Sequence, residues 1–308
     1  MAIQRIRRDD RETWLKLRKQ YIGGSDAAAV IGLNEWQSPY ALWCEKRGIT
    51  PEFEGNLRTD VGTYLEDFVA KRFAQETGKK VRRNNFSMVN DAYPWAIADI
   101  DRDIDGEDAL LECKVVNELQ LKHYDDGDYP PRFYCQVQHY LAVTGKQMGY
   151  LAVLIGTGRD FKWFAIERTE DEISALMEAE QRFCGYLESG EEPPASSADV
   201  DSIELAHPSS NGQAIELFGT QSIMAEYLGL KSRIASLEKE ADEIAAALKQ
   251  DMGDAEKGTD GAYICTWASR TKTTFDKKAF QKDHPGLDLS PWEKTTNYRA
   301  FSVKKVEV

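Results

Sequence analysis

The sequence predicts a mixed α/β fold, and three observations carry that reading. Residues 96–105, AIADIDRDID, alternate apolar and acidic positions, and the turn Gly106-Glu107-Asp108 leads them into ALLECKVV at 109–116, the pattern of a hairpin. Two further apolar runs, MGYLAVLIG (148–156) and FKWFAIE (161–167), read as strands, with the helical segment FYCQVQHYLAVT (133–144) between them and the hairpin. Helical patterns precede and close this series, so the expected architecture is a mixed central sheet flanked by helices, with 133–144 as a crossover.

From the N-terminus, residues 11–47 read as helix, turn, helix, helix. After WLKLRKQY, the stretch Ile22-Gly23-Gly24-Ser25-Asp26 places Ser25 or Asp26 to cap the helix AAAVIG, whose free amides suit an anion; a plain cap after a glycine turn explains the same residues. Residues 62–78 predict an amphipathic helix with Leu65, Phe68, Val69 and Phe73 inward and Gly78 as its stop. Glu66 flanks the apolar stripe and faces either a site or solvent. A strand over 81–89 then feeds the hairpin, which puts Asp99, Asp101, Asp103 and Asp105 on one face of one strand. A long helix over about 171–187 closes the region.

Residues 190–202, GEEPPASSADVDS, mark a linker, so a first domain over 1–195, a connection over 196–213 and a second module over 214–308 are expected. In that module Ile223, Tyr227, Leu230, Ile234, Leu237, Ala241, Ile244 and Leu248 follow a heptad a/d spacing, expected as a coiled-coil or helical-hairpin arm with no partner specified, or as a long helix lying on its own domain. The remaining tail predicts strands around a short helix. Its basic and aromatic residues suit nucleic acid, or the cover of an exposed sheet.

Composition narrows the class. Of 308 residues, 42% are hydrophobic, enough for a packed core, yet no run of about 18 apolar residues occurs. With the charged start MAIQRIRRDDRE, neither a membrane span nor a signal peptide is expected. Five scattered cysteines without C-x-x-C spacing read as reduced thiols of a cytoplasmic protein. The net charge of −13 taken alone argues against DNA, but residues 261–308 carry nine Lys/Arg against five Asp/Glu, a net of +4 that leaves −17 for the rest. An acidic surface coexists readily with a basic channel, and carboxylates in a metal site are neutralised by their ion.

The chemistry concentrates in Asp101 and Glu112-Cys113-Lys114. An aspartate near the end of one strand, with Glu-x-Lys on the next, suits one or two divalent cations that polarise a phosphate and activate water. Glu112 and Lys114, two apart on a strand, leave the same face, and the lysine there positions the water and meets charge building on phosphate oxygens. Alternating aspartates alone also describe a solvated strand face. The apolar context LLECKVV weighs toward a site, because unpaired charges there are costly.

Together IGGSDAAAVIGLNEWQSPYALWCEKRG, the Leu-Glu of GTYLED, the D…ExK core and CQVQHYLAVTG resemble the YqaJ-like viral recombinase nucleases, relatives of lambda exonuclease in the PD-(D/E)xK superfamily. The resemblance spans about residues 10–190, and the tail beyond 214 is similar to the C-terminal extension of longer phage-type members. It implies a restriction-endonuclease-like core carrying a C-terminal helical arm and a small β-containing tail. Residue by residue, it implies that Asp101, Glu112 and Lys114 are catalytic, that Glu66 lies near the metal, and that the main-chain carbonyl of Cys113 joins Asp101, Glu112 and Glu66 as a ligand. Gln136 and Tyr140 match the supporting Q-x-x-x-Y motif, and Arg18 and Ser25 the pair that grips a terminal 5′-phosphate. One position departs: the residue two before the catalytic aspartate, serine in lambda exonuclease, is Asp99 here.

The implied activity is a Mg²⁺-dependent 5′→3′ exonuclease, with Mn²⁺ able to substitute, that resects double-stranded DNA for single-strand annealing. A single-strand annealing protein and a ring-shaped homotrimer are the implied partners. Two other readings share these residues: a DNA-binding or assembly protein with a vestigial nuclease fold, and a PD-(D/E)xK endonuclease.

Overall fold

The computed structural model describes residues 2–8, 11–51, 55–156 and 158–306, and the chain divides into two units, Met1–His207 and Pro208–Val308. In the first, strand Ile3–Arg7 (β1) and helix Arg11–Gln20 (α1) precede the short strand Ile22–Gly23 (β2) and the helices Gly24–Val30 (α2), Pro39–Lys46 (α3) and Leu57–Thr77 (α4). Five strands follow: Val81–Arg83 (β3), Phe86–Asn90 (β4), Tyr93–Ala98 (β5), Arg102–Ile104 (β6) and Ala109–Val116 (β7). A 3-10 segment, Glu118–Gly127, then leads into helix Pro131–Thr144 (α5), strands Met148–Ile155 (β8) and Asp160–Glu167 (β9), and helices Glu170–Ser189 (α6) and Val200–Ala206 (α7).

These strands form two mixed sheets, in the orders β1-β4-β5-β2 and β3-β6-β7-β8-β9. The runs expected as single strands over 81–89 and 96–105 each break. β3 and β6 pair in one sheet, while β4 and β5 pair in the other, so the chain crosses between sheets twice. Asn84 stitches the two crossings: its side chain donates to Asp103 Oδ2 at 3.0 Å and accepts from the Phe86 amide at 2.9 Å, and its own amide donates to the Asp101 carbonyl at 3.2 Å. The four aspartates therefore part company. Asp99 accepts from Trp14 Nε1 at 3.0 Å and from Ser87 Oγ, Asp101 turns to the Cys113 amide, and Asp105 pairs with Arg82.

The expected hairpin forms between β6 and β7, and β7 runs parallel to β8 across the α5 crossover. Alternation along these buried strands assigns their two faces. Leu110, Leu151 and Val153 pack with Val137 and Leu141 of α5; Leu111, Ala152 and Leu154 pack with Val69, Ala70 and Phe73 of α4. α5 approaches β8 closely because Gly149 lacks a side chain: a Cβ there would lie 2.2 Å from Val137 Cγ1.

α4 starts earlier than its apolar periodicity indicates. Asn56 caps it, accepting from the Arg58 and Thr59 amides, and Gly78 ends it with φ +71°. Phe68, expected inward, is 51% exposed, because the buried stripe is narrower and runs through Val69, Ala70 and Phe73. Neither Ser25 nor Asp26 caps α2. Gly23 occupies that position, and Asp26, three residues on, reaches back to accept from the Gly23 amide at 3.0 Å.

The second unit holds helix Gln221–Met252 (α8), the hairpin of Lys257–Thr259 (β10) and Ile264–Thr266 (β11), and helix Lys277–Asp283 (α9). Among the described residues, no helix is long and apolar enough to cross a membrane.

One buried pair ties α5 to α6 and to β5. His139 Nδ1 lies 2.7 Å from Glu180 Oε1, and Nε2 lies 2.9 Å from the Ile97 carbonyl, so an imidazolium donates to two acceptors. Burial alone would push the His139 pKa down; the Glu180 carboxylate and the Ile97 carbonyl outweigh it, and with a smaller effect of Asp26 the value is raised. The folded pKa thus exceeds the unfolded one. The stabilisation is complete below about pH 6.5 and is lost as pH rises through the higher folded value. Glu180→Gln is expected to cost about 3–5 kcal/mol at pH 6, with a smaller difference from wild type at pH 9. Urea unfolding at the two pH values measures both; an equal loss at each would show that the pair is not ionic.

Candidate active site

Strand parity puts Glu112 and Lys114 on the α5 face of β7, and Cys113 among the residues packed under α4. Lys114 Nζ contacts Glu112 Oε1 at 2.7 Å, and Gln136 Nε2 donates to the same oxygen at 2.7 Å and to Tyr140 Oη at 3.0 Å. Gln136 and Tyr140, one helical turn apart on α5, thus face the strand together. At the crossing between sheets, Asp101 Oδ2 accepts from the Cys113 amide at 2.8 Å, which fixes its carboxylate against β7.

The electrostatics follow from this enclosure. Burial, then the neighbouring charges of Glu112 and Glu66, hold the Asp101 pKa well above the usual carboxylate range. Burial also raises Glu112, against the opposing pull of Lys114. Lys114 itself is raised: burial works against its charge, but Glu112 and Asp101 outweigh it. Glu112 Oε2 is buried with no hydrogen-bond partner, an orphaned acceptor that calls for a cation or a proton.

Glu66 bonds Arg102, which also pairs with Asp67 and donates to the Asp101 carbonyl at 2.8 Å. Among the described residues, no three His, Cys, Asp or Glu side chains converge as a metal-binding group. The donor chemistry nevertheless fits a hard divalent cation, with two neighbouring carboxylates of raised pKa and one buried, unsatisfied oxygen on Glu112.

Arg18 and Ser25 lie on neighbouring elements. The Arg18 guanidinium is 4.0 Å from both Asp26 and Glu45 and sits over the Trp14 ring. Ser25 is exposed in the first turn of α2, next to Gly24, whose backbone abuts the Tyr140 ring. Beneath them Asp26 is buried against Lys46 Nζ at 2.6 Å; burial raises its pKa, but Lys46 and Arg18 outweigh this and hold it below the ordinary value. Asp99 stands between Trp14, Ser87 and Arg8, bound up in the crossing of the chain between sheets.

Several residues at the site carry no signal in sequence. Arg102 reads there as one charge in an acidic strand, yet it anchors Glu66. Arg132 lies between the Trp36 and Phe133 rings, 4.3 and 4.6 Å from their centres, and Lys114 Nζ lies 5.2 Å from the centre of Phe133. A cavity of about 950 Å³ opens here, lined by Lys114, Arg132, Trp36, Leu57 and Leu119. The Trp36-Arg132 stack is long-range and leaves no spacing to read.

Gly24 links the two halves of this site. A Cβ at position 24 would fall 2.4 Å from Tyr140 Cε1, so Gly24→Ala is expected to displace the ring that holds Gln136 and to destabilise the fold by about 1–3 kcal/mol. Denaturant unfolding measures the loss, and wild-type stability would show that α2 and α5 separate freely.

Comparisons with known proteins identify the family and the fold. The YqaJ-like viral recombinase domain matches residues 13–147. The chain is 36% identical over 304 residues to the uncharacterized protein YqaJ of Bacillus subtilis (strain 168), covering 96% of this chain and 95% of that one. Among solved structures it is similar to the alkaline exonuclease LHK-Exo of Laribacter hongkongensis, with a TM-score of 0.50 and 21% identity over 64% of this chain and all of the other, a likeness of fold. The family match and the identity over nearly the whole chain place this chain in the YqaJ family, and its mixed sheets share the PD-(D/E)xK fold with LHK-Exo.

Proposed function

We propose that this chain is a divalent-metal-dependent deoxyribonuclease that digests double-stranded DNA from 5′ ends. The observation that carries the reading is the cluster of Asp101, Glu112 and Lys114, with a buried, unsatisfied oxygen on Glu112. Asp101, Glu112 and the main-chain carbonyl of Cys113, with Glu66 beside them, would hold Mg²⁺ or Mn²⁺. When bound, the cation supplies Lewis-acid polarisation of the scissile phosphate and a water of lowered pKa.

The chain's own residues do the positioning. Lys114 orients the attacking water and meets the charge that builds on the phosphate oxygens. Gln136, held by Tyr140, fixes the rotamer of Glu112. Arg18 and Ser25 receive the terminal 5′-phosphate and so set the polarity of digestion. The family likeness supports a role in resection for single-strand annealing, with an annealing protein as partner and a ring-shaped trimer as the working assembly. The second unit, with its basic tail, engages DNA or that partner.

Digestion of end-labelled duplex tests the assignment. Asp101→Ala and Glu112→Ala are each expected to lower the rate by at least about a thousandfold and to weaken Mn²⁺ binding in calorimetry, whereas Lys114→Ala loses turnover and keeps metal. Wild-type rates in Glu112→Ala would refute the site. Duplex with a 5′-hydroxyl is expected to be cut more slowly than phosphorylated duplex, and Arg18→Ala to erase the difference; internal cutting of a closed circle would point to an endonuclease instead.

The second unit is tested by ending the chain after His207. An earlier cut at Asp199 would remove a buried carboxylate that accepts from Ser38 Oγ and from the Ser196 amide. The shortened protein is expected to keep metal-dependent cleavage of short duplexes but to lose affinity for long ones, most visibly as salt rises. Unchanged binding of long duplex would assign the second unit another role.

A further inference from the structure

Beside the proposed phosphate grip, α1, α2 and α3 meet on a single ammonium. Lys46, in the last turn of α3, has a side chain only 3% exposed, and its Nζ has three partners: Asp26 Oδ2 at 2.6 Å, the Tyr21 carbonyl at 2.8 Å and the Arg18 carbonyl. An ammonium carries three protons, so its donor capacity is filled. The two carbonyls lie at the C-terminal end of α1, where main-chain acceptors lack partners within the helix.

The Arg18 side chain is held more loosely. Its guanidinium stands 4.0 Å from Asp26 Oδ1 and 4.0 Å from Glu45 Oε1, both beyond hydrogen-bond length, and it is 39% exposed over the Trp14 ring. Both carboxylates are engaged elsewhere at short range. Asp26 is taken by Lys46 and by the Gly23 amide at 3.0 Å, and Glu45 accepts from Gln37 Nε2 at 2.7 Å.

We infer that Lys46 is a positioning residue for the terminal 5′-phosphate, acting by neutralising Asp26 so that the charge of Arg18 is left for the DNA end. The inference rests on the proposed assignment of Arg18 and Ser25 to that phosphate. Asp26 is next to Ser25 in sequence, and burial makes its charge strongly felt if it is unanswered. Without the ammonium, that carboxylate draws the long arginine side chain onto itself and repels an incoming phosphate. With the ammonium closer to it than the guanidinium is, and hydrogen-bonded to it, Arg18 stays near the pocket without being consumed by it. The same ammonium fixes the main chain of Arg18, so the side chain projects from an anchored turn.

Fluorescence anisotropy of the full chain with labelled duplexes, in the absence of divalent metal, tests this without turnover, by comparing affinities for 5′-phosphate and 5′-hydroxyl ends. Wild type is expected to favour the phosphorylated end by roughly tenfold, the scale of one hydrogen bond to a charged group. Lys46→Met is expected to bring the ratio close to one, because Arg18 closes on Asp26. Adding Asp26→Asn removes the competing charge and is expected to restore most of the preference, a rescue that a residue supporting only the fold would not show. If circular dichroism finds Lys46→Met unfolded, Lys46→Gln, which keeps a donor and loses the charge, is read in the same way. A wild type without preference would overturn the 5′-phosphate assignment, and this inference with it. A preference that survives loss of the Lys46 charge, or that stays lost in the double variant, would overturn the role of Lys46 and leave that assignment standing.

Discussion

The structure depends on keeping two opposite charges, Glu112 and Lys114, on the central strand of a sheet covered on both faces. Leu110 and Leu111 precede them in a fully buried stretch, and β8 beside them is apolar almost throughout. A carboxylate left unpaired in such a place costs several kcal/mol. The fold answers with an amide from Gln136, an ammonium from Lys114, and an amide from the β7 backbone that steadies neighbouring Asp101. One oxygen of Glu112 remains unmatched, and a site that is stable and fully satisfied would have no such remainder.

Close helix approach makes those partners available. Gly149 lets α5 settle on β8, and Gly24 lets α2 settle on the Tyr140 ring. Small residues at both contacts bring α5 near enough for Gln136 to reach Glu112, and they bring the first turn of α2, with Ser25, toward the same helix. The His139-Glu180 pair holds α5 against α6. Packing on three sides leaves α5 little freedom to shift. This rigidity suits a helix whose polar side chains must hold their positions to within a hydrogen bond.

The acidic residues of the hairpin show how backbone topology sorts charge. A continuous strand would have lined up four aspartates and paid in mutual repulsion. Crossing between two sheets disperses them instead: Asp99 goes to Trp14 and Ser87, Asp103 to Asn84 and Lys146, and Asp105 to Arg82. Only Asp101 is left beside Glu112. The position at which the family resemblance shows a departure, Asp99, thereby has a structural occupation in this chain.

Local pattern made much of this legible. Alternation and turn chemistry located the β6-β7 hairpin, β8, β9 and α5; Gly78 marked the end of α4; and two-residue parity placed Glu112 and Lys114 together, because side-chain direction on a strand is a local property. Q-x-x-x-Y likewise fixed Gln136 and Tyr140 on one side of a helix. Sequence could not show that 81–89 and 96–105 each divide between two sheets, since a strand bends without changing its alternation when partners such as Asn84 and Ser87 stabilise the crossing. Nor could it show Phe68 turning outward or Arg102 holding Glu66. Each of those depends on which surface another element covers, and contacts between residues far apart in the chain are decided only when the whole fold closes around them.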